Sequence, residues 1–210
     1  MKGEIMHIPE MMKMGSNELI HQFIEEFSFG TLITEQLEAN HLPFMLKKSE
    51  GDLGTLYGHF SRANRLLVKQ DGCNVMVILE GPHSYISPSW YASFPAVPTW
   101  NYAAVHLYGE MTLLSTDKTI TALDEMVSTY EPELLIKGDI ITDEYRDRLA
   151  QGIVGFKIKL TKMLGKQKLG QNRKLVDQAG VVKGLELNET SDAKRLLIYM
   201  QKRGIGIGLI

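Results

Sequence analysis

Cysteine is nearly absent: Cys73 is the only one in 210 residues. That excludes a disulfide within the chain and any thiolate cluster for zinc or iron–sulfur within one subunit. A reducing cytoplasm is the compartment that fits. Long hydrophobic runs are absent as well. The opening MKGEIMHIPEMMKMGSNE holds no apolar stretch of signal-peptide length, the closing GIGIGLI is short, and no run approaches the roughly 20 apolar residues that cross a bilayer. The expectation is a cytoplasmic protein with no membrane partner. Charge of one sign is not in excess either, with 23 Lys and Arg against 25 Asp and Glu for a net of −2. Nothing global therefore steers the molecule toward nucleic acid, and any such binding must be local. HExxH and GxSxG are missing, as is any Walker-type or GxGxxG loop in a fitting context.

An apolar share of 44% and a charged share of 23% are ordinary for a chain that builds one core. SNELIHQFIEEF sets Leu19, Ile20, Phe23, Ile24 and Phe27 on one helical stripe, with Ser16 or Asn17 to cap it. Short β-leaning runs follow, GTLITEQ, LEANHLPFML, LGTLYGHF, NVMVILEG and SYIS, separated by Gly, Asp, Ser and Pro. SRANRLLVKQ reads as a short helix opening at Ser61. TWNYAAVHLYGEMTLLS reads as a long strand or a strand pair, with Trp100, Tyr102, Ala104, His106 and Tyr108 on one face. DKTITALDEMVSTYE predicts a helix with Ile120, Leu123, Met126 and Val127 inward, and TDEYRDRLAQ a shorter one. IVGFKIKLT alternates as a half-buried strand, and SDAKRLLIYMQKRG as a last amphipathic helix ended by Gly204. The GIGIG that follows precedes nothing recognisable.

Three stretches could carry chemistry. YGHFSRANR gathers His59, Ser61, Arg62 and Asn64 at a strand-to-helix junction, a fork of cationic and hydroxyl donors suited to phosphate; Ser61 as a plain cap and Arg62 as a surface charge are the competing readings. Lys157 to Lys174 holds seven basic residues and no acidic one. Strand alternation explains Lys157 and Lys159, but not Lys166, Lys168, Gln171 and Asn172. Tyr85 to Tyr102 holds six aromatic residues and three prolines, with Ser87, Ser89, Trp90, Trp100 and Asn101 offering flat surfaces beside polar groups, as a planar heteroaromatic ligand or a second subunit requires. The prolines make Ser87 to Pro98 mostly loop. Of six histidines, His41, His59 and His106 lie on or beside strands, and His7, His21 and His83 look peripheral; no metal-ligand spacing appears.

Read in order, LEANHLPFML, LGTLYGHFSRANR, YISPSWY, VPTWNYAAVH, IVGFKIKL and GKQKLGQNR resemble the successive blocks of the PaiB family of FMN-binding negative transcriptional regulators, from about Met6 to about Leu185. The resemblance implies an α+β fold dominated by β: a Greek-key split β-barrel of the FMN-binding kind, with peripheral helices and a C-terminal helical appendage. It implies domain bounds of 1–165 for the barrel and 166–210 for the closing segment and helix, packed on the same core or on the partner subunit. It further implies FMN as cofactor at a homodimer junction. The phosphate would fall on Ser61 and Arg62, helped by His59, and the ring near Ser87, Ser89, Trp100 and Asn101, with Lys166, Lys168, Gln171 and Asn172 in the closing block. Gly170 stands where the family shows serine, and Arg65 where proline is common.

The function so implied is repression of protease production and sporulation, with DNA or a regulatory protein as further partner, although no helix-turn-helix pattern is evident. A flavin-dependent reductase or haem-degrading enzyme on the same barrel is the alternative, because fold does not settle function. A scaffold without cofactor is the third reading.

Overall fold

The computed structural model describes residues 6–137 and 140–208; the end of GIGIGLI lies outside them. The strands are β1 (Phe29–Thr34), β2 (Ala39–Pro43), β3 (Met45–Lys47), β4 (Thr55–Ser61), β5 (Cys73–Ile86), β6 (Thr99–Leu113) and β7 (Ile153–Lys168). They form a seven-stranded sheet in the order β2-β1-β5-β6-β7-β4-β3. The ladders β1–β2, β1–β5, β3–β4 and β4–β7 are antiparallel. Helices α1 (Asn17–Glu26), α2 (Thr116–Tyr130), α3 (Pro132–Lys137), α4 (Asp143–Ala150), α5 (Leu175–Glu186) and α6 (Ser191–Arg203) complete the chain. Two compact units result, one of Met1–Ile20, Glu80–Val105 and Leu164–Ile210, the other of His21–Leu79 and His106–Met163. β7 runs without a break past residue 165.

The unit containing His21–Leu79 is built on the alternation seen in the sequence. Val154, Phe156, Ile158 and Leu160 of β7 are buried. Phe156 packs against Phe60 with ring centroids 5.8 Å apart and meets Phe44 edge-on at 6.3 Å. Truncating so central a ring would cost about 3–5 kcal/mol. Three expectations are corrected here. SRANRLLVKQ forms turns and a 3-10 turn at Leu67–Lys69 in place of an α-helix. Only Leu67 of its apolar residues is buried, so no stripe holds a longer helix, and so short a helix is marginal without one. Asn64 Oδ1 accepts from Leu66 N and Leu67 N at 3.3 Å each, holding the turn that leads into the 3-10 turn. On α2 Met126 is buried as expected, but its buried companions are Thr119 and Ala122, whereas Ile120, Leu123 and Val127 are half-buried. The helix is turned so that Thr119 Oγ1 accepts from Gly155 N at 3.1 Å, a hydrogen bond that hydrophobic periodicity does not encode. His21, expected at the periphery, is buried on α1 with Nε2 3.0 Å from Leu53 O.

The unit containing Glu80–Val105 holds the C-terminal helices. NVMVILEG and SYIS are one strand, β5. Its buried positions are odd up to Gly81 and even from Pro82, the change of phase that an extra, bulged residue gives. β7 reverses likewise, with even positions buried to Leu160 and odd ones at Gly165 and Gln167. β6 does not reverse: Asn101, Ala103 and Val105 are buried, and the face of Trp100 and Tyr102 is the more open one. Ser87–Pro98 is irregular except for a 3-10 turn at Pro88–Trp90 capped by Ser87 Oγ.

α5 was not foreseen, because Gly180 and Gly184 lower its helix propensity. Both glycines are required by close approach: a Cβ at Gly180 would lie 2.0 Å from Trp90 O, and one at Gly184 2.2 Å from Cδ2 of the Trp90 indole. α6 ends at Gly204 in the left-handed conformation, as the sequence suggested. The GIGIG that preceded nothing recognisable packs back instead. A Cβ at Gly206 would lie 1.9 Å from Leu169 O, and Gly208 N donates to Gln178 Oε1 at 3.1 Å.

Candidate functional site

The open face of β5, β6 and β7 in the unit of Glu80–Val105 brings aromatic rings and ammonium groups together. Trp100 is 52% exposed and Tyr85 45%. The indole of Trp100 lies 5.8 Å from the His83 ring and 6.3 Å from that of Tyr85, edge-on to the latter. His83, expected at the periphery, is therefore a strand residue beside the central indole. Lys166 Nζ sits over the Tyr102 ring at 5.6 Å and donates to His7 O at 2.9 Å. Lys168 Nζ donates to Thr99 Oγ1 at 2.6 Å. An ammonium has three hydrogens, so each lysine, with one engaged in this way, is still able to donate to an anion. Period-two alternation put Trp100 and Tyr102 on one face; the phase reversals within β5 and β7 hid their partners.

Gln171 and Asn101 are structural members of this region. Gln171 Oε1 accepts from Leu169 N at 2.7 Å, and its Nε2 donates to Gln167 O and Met11 O at 2.7 and 2.9 Å. It thus closes the turn at Gly170, whose φ is +79°. Asn101 is 2% exposed. Asn172 is exposed on the same turn.

Trp90 and Ser89 belong to a different place. Trp90 rests on the glycine face of α5, and Ser89 Oγ lies 2.7 Å from Ser87 Oγ. The segment after it is clamped by Asp177, a buried residue of α5 that accepts from Ala92 N and Ser93 N at 2.9 Å each. Arg173 stacks over the buried Tyr91 ring at 4.5 Å. Sequence reading missed Asp177 altogether. The Gly180–Gly184 spacing, four residues apart on one helical face, was the signal available.

In the unit of His21–Leu79 the Ser61–Asn64 turn collects the second group of expected residues. Arg62 is exposed, yet its Nε donates to Gln151 O at 2.8 Å and its Nη2 to Ile153 O at 2.9 Å. A guanidinium has five N–H groups, so three remain for an anion. Ser61 Oγ accepts from Ala63 N at 3.3 Å, and Asn64 Nδ2 donates to Asn40 Oδ1 at 2.8 Å. No α-helix starts here, so the turn lacks the helix-start amides expected beside it. His59 Nδ1 is buried without a hydrogen-bond partner, and burial lowers the pKa of the ring below its usual 6.5. Arg62 and Trp100 belong to different units.

On the same unit, Glu50 accepts from Tyr57 OH at 2.6 Å and from Lys157 Nζ at 2.9 Å. The tyrosine hydrogen bond first, then the lysine, hold its carboxyl below the usual 4.5. Burial, and then the hydrogen bond to Glu50, push the Tyr57 phenol well up. Lys157, counted among the basic run, is thereby accounted for as an ion-pair partner.

Several known proteins are similar to this chain. Residues 6–162 match the family described as "Putative FMN-binding domain". "Protease synthase and sporulation protein PAI 2" of Bacillus subtilis is 36% identical over 204 residues, covering 94% of this chain and 98% of the relative. An uncharacterized protein of Emericella nidulans is 27% identical over 89% of this chain and 92% of its own length. Among solved structures, the flavocytochrome Anf3 of Azotobacter vinelandii matches with a TM-score of 0.62 at 13% identity, over 80% of this chain and 75% of that one. A FAD and heme binding protein of Mycobacterium smegmatis gives 0.57 at 13% identity, over 75% and 74%. These likenesses show the split-barrel fold that the sequence blocks implied. A domain match across residues 6–162, together with a bacterial relative aligned over nearly the full length of both proteins, makes this chain a member of the PaiB family of FMN-binding-domain proteins.

Proposed function

We propose that the protein is a homodimeric flavoprotein of the PaiB kind that binds FMN and acts as a negative regulator of transcription, with protease production and sporulation as the controlled processes. One observation carries the flavin reading: an exposed indole, Trp100, flanked by His83 and Tyr85 on a face that also carries Lys166 and Lys168. A flat tricyclic ring needs an open aromatic surface, and its phosphorylated tail needs cations with hydrogens to spare. The residues present supply both. Bound FMN would contribute redox chemistry; the chain's own part is to hold the ring and counter its charge.

Exposed apolar side chains in the same stretch support association between copies, since Phe94 is 73% and Val97 67% exposed. The regulatory assignment rests on family membership and on the name of the Bacillus subtilis relative. With a net charge of −2, contact with DNA would run through the Lys157 to Lys174 stretch and fall steeply with salt. The test is a titration with FMN followed by visible absorption, together with sedimentation, on the native chain and on Trp100→Ala. Weaker flavin retention and a weaker dimer are expected. Unchanged affinity with an unchanged sedimentation profile would reject the reading.

A further inference from the structure

A cleft of about 420 Å³ opens beside α5, walled by Trp90, Gly180 and Gly184 and edged by Ser89, Lys183, Leu187 and Asn188. Its volume is in the range of small-molecule sites, about 300–1,000 Å³. None of these lining residues is acidic. Lys183 is exposed and supplies the only cation of the lining. Asn188 and Ser89 add an amide and a hydroxyl, the latter paired with Ser87 Oγ. The two glycines strip the helix of side chains where Trp90 lies against it, so the indole sits flush on α5 and forms one wall of the cleft. At its rim Leu187 is 75% exposed, an apolar surface left to water at the mouth.

We infer that this cleft is a second ligand site, distinct from the Trp100 face, and that it takes a small planar aromatic acid. The ring would stack on Trp90 and cover Leu187, and the carboxylate would meet the Lys183 ammonium, with Asn188 and Ser89 hydrogen-bonding the ring's polar edge. A neutral analogue of the same shape keeps the stacking and loses the charge-assisted contact, a difference of about tenfold in affinity.

Nicotinate and nicotinamide are suitable probes, being one ring with and without the charge. Calorimetric titration of the full chain should give saturable nicotinate binding, with nicotinamide about tenfold weaker. Lys183→Met, at an exposed position, should bring nicotinate down to the nicotinamide level. The indole N–H resonance of Trp90, identified by its loss in Trp90→Phe, should move with the titration. Saturating FMN should leave the nicotinate affinity unchanged, because the two ligands occupy different faces. A chain that binds nicotinate in this way but no FMN upholds the cleft and removes the flavin proposal. Non-saturable binding, equal affinity in Lys183→Met, or displacement by FMN would overturn the inference.

Discussion

Gly180→Ala sets two opposed effects against each other. Replacing a helix-interior glycine by alanine gains about 1 kcal/mol of helix propensity. At this position the new methyl would lie 2.0 Å from the Trp90 carbonyl oxygen, well inside contact distance. That oxygen belongs to backbone held on both sides: Ser87 caps the 3-10 turn, and Asp177 grips Ala92 and Ser93. The strand of loop must move off α5 as a unit, and overpacking of that kind costs about 1–3 kcal/mol. With a backbone atom as the obstacle the upper figure applies, so the net loss is about 2 kcal/mol. For a chain of this size that is a fall of about 4–8 °C in Tm. Gly184→Ala is the internal comparison, because its methyl meets the indole ring, 2.2 Å from Cδ2, and a side chain bordering a cleft can swing aside. Thermal unfolding by circular dichroism should show Gly180→Ala less stable than Gly184→Ala. Equal or raised Tm in Gly180→Ala would refute the packing argument.

Asp177→Ala removes the acceptor of two backbone N–H groups and should cost about 2–3 kcal/mol, with cleavage by added protease concentrated in the aromatic segment; Asp177→Asn, which keeps one acceptor oxygen, should lose less. Glu50 has a folded-state pKa below its ordinary 4.5, so the stability it contributes is present above 4.5 and is lost as pH falls through the folded value. The stability gap between the native chain and Glu50→Gln should therefore close in that window, and Tyr57→Phe should raise the Glu50 midpoint measured by carbon NMR. The imidazole of His59 should titrate below 6.5, since burial disfavours its charged form; that contribution is present above 6.5 and fades as pH falls through the lowered value. A midpoint at or above 6.5 in proton NMR would show that water reaches the ring.

What was legible in the sequence was whatever a single periodicity fixes. The β7 pattern from Val154 to Leu160, the two faces of β6 and the Gly204 cap follow from spacing alone, and of the two candidate caps for α1, Ser16 and Asn17, Ser16 accepts from Leu19 N. What was hidden depends on contacts between distant segments. A reader of SRANRLLVKQ sees helix formers, but the turn is set by Arg62 reaching Gln151 and Ile153. The rotation of α2 follows Thr119 to Gly155, and α5 looks like a poor helix until Trp90 is laid against it. Within β5 and β7 the alternation restarts halfway, which divides one strand into two apparent runs. Of the expected site residues, Trp100, Lys166 and Lys168 share a face, whereas Trp90 and Ser89 line a separate cleft.

The glycine-bearing helix has a consequence for how the protein would report on itself. Val181 and Leu185 anchor α5 in the core, so the part of the helix that loosens when the indole departs is the glycine-bearing turn beneath it. Deuterium uptake between Gly180 and Gly184 is thus a gauge of Trp90 occupancy: slow when the ring is seated or pinned by a bound molecule, and faster when it is not.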